Sequence, residues 1–175
     1  MNNPFALVLI TMFSISLFAQ EKAIKLVEKG NDYLARQEMN KAEEQFNKAI
    51  SIDSNCIEAY IQKSDIELQK NEFSKALKLI DRAKNAAELK NAKNEVIAHI
   101  YSIRSFIYFN QDNYSKAIED LNSAIQLNDQ NSSYFFMRAL IKRINSDLKG
   151  CCFDLKQASN LGLEKARESL ALYCK

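Results

Sequence analysis

From Ala98 to Asn131 the apolar positions fall on two stripes of helical spacing separated by a polar break. Tyr101, Ser105 and Tyr108 share one face, three or four residues apart. Asn110, Gln111, Asp112 and Asn113 interrupt the pattern, and Ala117, Leu121 and Ala124 line a second face. Two short helices joined by a turn are predicted. The small Ser105 and Ala117 sit where the helices must approach closely, while Tyr101, Tyr108 and Leu121 fill the space around them.

The same spacing recurs along the chain. Starting at Ala23 it places Leu26, Gly30, Tyr33, Ala42, Phe46 and Ala49 at the corresponding offsets. Gly30 costs a helix about 1 kcal/mol, so its presence predicts close packing at that point. Starting at Ile57, the pattern gives Tyr60, Ser64, Ala76, Ile80 and Ala83, with Glu67 in place of the aromatic. The phase then slips by seven residues, Asn91 to Ile97. Because this segment has no Pro or Gly, the flanking helices should each gain about a turn, with Asn94 before Glu95 as the N-cap signal. A fourth, degenerate copy starts at Ser132: Phe135, Ala139, Leu155 and Ala158 hold their places, while Lys142 and Cys151 depart from the pattern. Gly162 then suits a helix C-terminus, and Leu163, Ala166, Leu170 and Tyr173 form a closing amphipathic face.

With its period of 34 residues and these small and bulky positions, the chain resembles a tetratricopeptide (TPR) repeat protein. The family's late proline is missing, with Ser54 and Asp129 at that offset. The resemblance implies an all-α helix-turn-helix solenoid of about four repeats, near 23–56, 57–90, 98–131 and 132–165, with a capping helix at 164–174. The segment from Gly150 to Cys174 is also similar to a C-terminal ending of secreted TPR proteins of the Bacteroidetes group of bacteria, in which a terminal Tyr-Cys follows a Leu-Gly turn. Cys152 and Cys174 occupy the two cysteine positions of that ending, and Cys151 replaces an alanine.

In that family the first helix of each repeat lines a concave groove. Transferred to this chain, the lining comprises Val27, Asn31 and Leu34 in repeat one and Ile61, Asp65 and Leu68 in repeat two. Repeat three contributes His99, Phe106, Phe109 and Asn110, and repeat four Phe136, Leu140 and Arg143. Phe106, Phe109, Phe136 and Leu140 are expected to form an aromatic-rich patch for an apolar partner segment. The alternative is that such side chains pack between neighbouring repeats. Asn31 matches one member of a clamp that some TPR domains use for the carboxy-terminal Asp of chaperones, but Val27, Gln62, His99 and Ile103 stand at the other clamp positions. Recognition of an acidic C-terminal peptide is therefore not expected.

Composition narrows the function classes. Lys and Arg number 24 against 22 Asp and Glu, a formal charge of +2 that announces neither nucleic acid nor an anionic membrane as partner. Pro4 to Phe18 is apolar, about fifteen residues and short for a bilayer span, and is followed by Ala19 and Gln20. Residues 1–19 read as a secretory signal or an uncleaved anchor, so the TPR domain starts near residue 20 and membrane contact is expected only if the leader stays. The four cysteines show no CxxC or CxxH spacing, and no metal site is expected. In an exported protein Cys152 and Cys174 are a candidate disulfide stapling the last helix; the other reading is two buried thiols filling small gaps. No cofactor motif, small-molecule site or catalytic constellation is evident, and His99 lacks a Ser or Cys partner. The expectation is a non-catalytic protein–protein interaction module of the periplasm or cell envelope, possessing a groove for a peptide or helix. The alternative is an assembly component acting through its convex face or oligomerisation.

Overall fold

A computed structural model describes residues 4–174, with side-chain surroundings from Leu17 onward. The leader assigned to residues 1–19 therefore falls mostly outside the described side chains. Among the described residues all regular structure is helical, and no helix is long and apolar enough to cross a membrane. The chain divides into two compact units, one up to Lys90 and one from Asn91. The division falls where the sequence period slips.

The first unit holds α1 (Pro4–Ala35), α2 (Met39–Ile52), α3 (Ile57–Gln69) and α4 (Phe73–Leu89). The second holds α5 (Asn94–Asn110), α6 (Tyr114–Leu127), α7 (Ser132–Ile144), α8 (Leu148–Asn160) and α9 (Glu164–Tyr173). Consecutive helices pair as the spacing predicted. α1 begins ahead of the first repeat, at Pro4 rather than Ala23, as one continuous helix. α4 and α5 are 17 residues each, against 14 for α2 and α6 and 13 for α3 and α7, so the slip is absorbed as about one extra turn on either side. The N-cap of α5 is Lys93, in an extended conformation, and Asn94 is already helical; the Asn94 cap signal was one residue late.

Each helix pair closes over small residues. Ala42, Ala76, Ala117 and Cys151 occupy one recurring position, and Ala49, Ala83, Ala124 and Ala158 a second, all without solvent exposure. Opposite them stand Gly30, Ser64, Ser105 and Ala139. A Cβ built on Gly30 would overlap the Phe46 ring. The equivalents of Phe46 are Ile80, Leu121 and Leu155, which are smaller and face Ser or Ala. The larger side chain in α2 thus requires the absence of one in α1.

The turns inside the repeats are equally periodic. Gln37, Asn71, Asp112 and Ser146 all adopt left-handed backbone, with φ between 57° and 64°, at one repeat position. In each case the next residue's N–H reaches back to a carbonyl near the helix end, as in Glu38 to Tyr33 and Asn113 to Tyr108, both 2.9 Å. The missing late proline is replaced by side-chain turns at two junctions: Asp53 Oδ1 accepts from the N–H of Asn55, and Asn128 Oδ1 from that of Gln130.

The last helix is held as the amphipathic pattern required. Ala166 is buried against Cys151, Leu155 and Ala158, with Leu163, Leu170 and Tyr173 around it. Gly162, at φ 88°, forms the turn into α9. Cys152 and Cys174 are joined in a disulfide, with Cα atoms 5.7 Å apart and a sequence separation of 22. By loop-closure entropy a bridge of this span contributes about 3 kcal/mol. Cys56 and Cys151 are free and buried, and Cys151 fills a place that alanine takes in the other repeats.

Gly30→Ala should destabilise the fold by about 1–3 kcal/mol in urea unfolding, and Phe46→Leu added to it should restore part of that loss. No rescue would mean that the Phe46 ring is not what confines position 30. Burial pushes the thiols of Cys56 and Cys151 above the ordinary cysteine pKa, so less thiolate is present at any given pH. An aromatic disulfide reagent should therefore react slowly with the native chain at mildly alkaline pH, find two thiols after unfolding, and find four only after reduction.

Candidate functional site

In the second unit α5 and α7 together form an apolar opening. Phe106 and Phe109 of α5 and Met137, Leu140 and Ile141 of α7 enclose a cavity of about 190 Å³ whose lining is wholly apolar. Phe106 is 43 % exposed, Phe109 and Leu140 are half-buried, and Ile141 is buried. An apolar cavity of about 150 Å³ is enough to hold a benzene ring, so this one has room for one large apolar side chain. The wall is braced from outside: the Phe109 and Tyr114 rings lie 5.9 Å apart, and Asn110 Nδ2 donates to the Phe106 carbonyl at 2.8 Å.

Phe106, Phe109 and Leu140 meet as the sequence predicted, but Phe136 does not join them. It packs on the cluster around Phe135 and Leu155, and Met137 supplies the surface instead. His99 is exposed, as is Arg143, whose guanidinium lies 4.3 Å from the Tyr173 ring centre. Ser102, three residues after His99, is buried and donates to the His99 carbonyl. Burial raises the pKa of the Tyr134 phenol, and the side chains of Asn131 and Ser102 oppose the rise.

In the first unit the expected lining separates by depth. Asn31 is exposed, and Leu34, Asp65 and Leu68 are half-buried. Val27 and Ile61, assigned to the groove, are instead buried, at 5 % and 3 % exposure. Val27 belongs to a cluster with Phe46, Cys56, Ala59 and Ile66 from α2, α3 and the residue before α3. For Val27 the reason is positional: it packs on Ala59 and Ile66 of α3, the first helix of the next repeat, and Ser102, at the same offset in the second unit, is likewise buried. A second cavity, of about 320 Å³, lies between Ala19–Gln20 and Ile52–Asn55; it is polar, and its Lys90 and Asp53 already pair at 2.6 Å.

Ion pairs that single-position reading missed fix the helices behind the apolar cavity. Arg104 makes two hydrogen bonds of 2.8 Å to Asp120, and Arg138 bonds Asp154 at 2.6 and 2.9 Å. Both pairs are sixteen residues apart at the same repeat offsets, a recurrence visible in repeats three and four and in no other. Lys142, at the aromatic offset, also reaches Asp154, at 2.9 Å. Likewise Glu67 at that offset pairs with Lys70. Where the aromatic is lost, a charge pair therefore takes over. No group of His, Cys, Asp or Glu among the described residues could hold a metal ion.

The profile of the tetratricopeptide repeat family matches residues 26–56 and 98–131. These two stretches are tetratricopeptide repeats. TPR domains in general are non-catalytic scaffolds that bind protein or peptide partners. Among solved structures, the N-terminal domain of stress-induced protein-1 from C. elegans is similar with a TM-score of 0.63 and 18 % identity, covering 73 % of this chain and 97 % of that one. A fragment of MamA from Desulfovibrio magneticus has a TM-score of 0.67 and 18 % identity, covering 79 % and 75 %. YrrB, a TPR protein with an unusual peptide-binding site, has 0.67 and 17 %, covering 81 % and 70 %. At such identities the likeness is one of fold. A comparison with curated proteins finds none that matches.

Asp154 has no solvent exposure and holds two cations, so Asp154→Ala should cost about 3–5 kcal/mol by leaving Arg138 and Lys142 uncompensated. Glu164→Gln, in a pair with Arg167 on the surface, should change urea stability by less than about 1 kcal/mol. Equal effects would show that the Asp154 pair behaves as a surface pair.

Proposed function

We propose that the protein is a non-catalytic interaction module of the cell envelope, which binds an apolar peptide or helix of a partner protein in the groove between α5 and α7. The observation that carries this reading is the wholly apolar cavity at Phe106, Phe109, Met137, Leu140 and Ile141, with Phe106 presented to solvent at its mouth. A groove held by packed helices and ion pairs needs little ordering when a ligand enters, which favours binding by cutting its entropic cost. One large apolar side chain would fill the cavity, and the polar Asn110 beside it would set the register.

Export is part of the proposal. The apolar run Pro4 to Phe18 followed by Ala19 supports a leader, and a disulfide between Cys152 and Cys174 suits an oxidising compartment. Cross-linking of the exported protein would identify the partner, whose affinity is then measured for variants of the groove. Phe106→Glu combined with Leu140→Glu should weaken binding by about thirtyfold or more, the scale of a lost hot spot, with helix content unchanged. Phe153→Glu, on the exposed face of α8, should leave affinity as it was. If only Phe153→Glu abolishes binding, the outer surface is the contact and the protein is an assembly component.

A further inference from the structure

The second unit carries an unusual distribution of charge around its apolar cavity. α7 contains Arg138, Lys142 and Arg143 and no carboxylate. α5 contains none after Glu95, which precedes Phe106 by eleven residues, about 16 Å along the helix. The carboxylates that reach these helices from behind, Asp120 and Asp154, are buried and engaged by Arg104, Arg138 and Lys142. Arg143 is different. It is exposed, and among the described residues no carboxylate pairs with it. Its position completes a stripe on α7 with Phe136 and Leu140, one turn beyond the cavity-lining Leu140.

Arg143 is also held. Its guanidinium lies over the Tyr173 ring at 4.3 Å, and Tyr173 is the residue before Cys174, which is bonded to Cys152 on α8. A guanidinium stacked on an aromatic face keeps its edge N–H groups free for a planar acceptor, and limiting its rotamers lowers the cost of using them. The disulfide thus fixes Tyr173, and Tyr173 acts as a positioning residue for Arg143.

We propose that the groove between α5 and α7 recognises a partner segment bearing a large apolar side chain and, about one helical turn away, a side-chain carboxylate. The apolar group enters the Phe106–Leu140 cavity and Arg143 takes the carboxylate, oriented by Tyr173 and the Cys152–Cys174 disulfide. This rests on the groove reading above and names its ligand by charge complementarity: Arg104, Arg138 and Lys142 are taken up by Asp120 and Asp154, while the exposed Arg143 pairs with no carboxylate among the described residues. The acceptor is a carboxylate within the segment, since the clamp residues for a chain terminus are absent from this chain.

The test uses the full oxidised chain and a displayed library of helical peptides held at both ends, without free C-termini. Enriched peptides should share a large apolar residue with Asp or Glu three or four positions from it. Changing that Glu to Gln in the best peptide should lower affinity roughly two- to fivefold, the size of an exposed ion pair. Arg143→Gln should erase this difference while leaving affinity for the Gln peptide unchanged. Cys152→Ser with Cys174→Ser, or reduction by a dithiol that leaves two protein thiols and is itself oxidised to a disulfide, should narrow it. Apolar enrichment without an acidic preference, or a Glu-to-Gln difference that survives Arg143→Gln, overturns the inference and leaves the groove reading in place. A difference unchanged in the double Ser variant overturns the part assigned to the disulfide. Absence of enrichment, or enrichment that survives Phe106→Glu, overturns the groove reading itself.

Discussion

The rest of the molecule depends on the close approach of the two helices in each pair. Ala, Cys, Gly or Ser stands at every point where their backbones come nearest, and each of these positions is closed to solvent. A larger side chain there would separate the helices and lift the bulky residues, Phe46, Ile80, Leu121 and Leu155, off their partners. The first pair shows how local the constraint is. With Phe46 in α2, the facing residue must be Gly30, because the ring occupies the space that a Cβ would need. In the other pairs a smaller aliphatic side chain leaves room for Ser or Ala.

Departures from the repeat pattern are compensated in the same place. The aromatic offset carries Tyr33 and Tyr108 in two repeats, with Lys41 and Lys116 over their rings. In the other two it carries Glu67 and Lys142, and each finds an opposite charge, Lys70 or Asp154. The space is therefore filled either by a ring with a cation above it or by a charge with its counter-ion. Glu67 and Lys70 lie three residues apart at the end of one helix, whereas Lys142 and Asp154 join α7 to α8, so a shift of α7 against α8 would leave the buried Asp154 charge without its partners.

These constraints explain why the apolar opening lies where it does. The helix faces turned toward a partner helix or toward the next repeat are consumed by packing, as Val27 and Ser102 show. Phe106, Leu140 and Arg143 project from what is left over. They stand on rigid helices whose inner sides are fixed by Ser105, Leu121 and the Arg–Asp pairs, so the apolar opening is a product of the core rather than of a mobile loop.

The sequence alone sets the helix pairs, their order, the extra turns at the phase slip, the capping helix and Cys152 and Cys174 as a candidate disulfide pair. These follow from spacing, from small residues at close approaches and from a resemblance carried by many positions at once. It also brought Phe106, Phe109 and Leu140 together, because a helical period places them on the same kind of face. Depth was decided only by the tertiary structure. Whether Val27 faces a partner or a neighbouring helix, and whether Phe136 or Met137 lines the cavity, turns on a rotation of a few tens of degrees about a helix axis, which periodicity alone does not resolve. The charge pairs were likewise hidden, since Arg138 and Asp154 lie sixteen residues apart and meet only once α7 and α8 have packed. The stacking of Arg143 on Tyr173 has the same origin: it joins the end of one repeat to the end of the chain, a contact that no local pattern encodes.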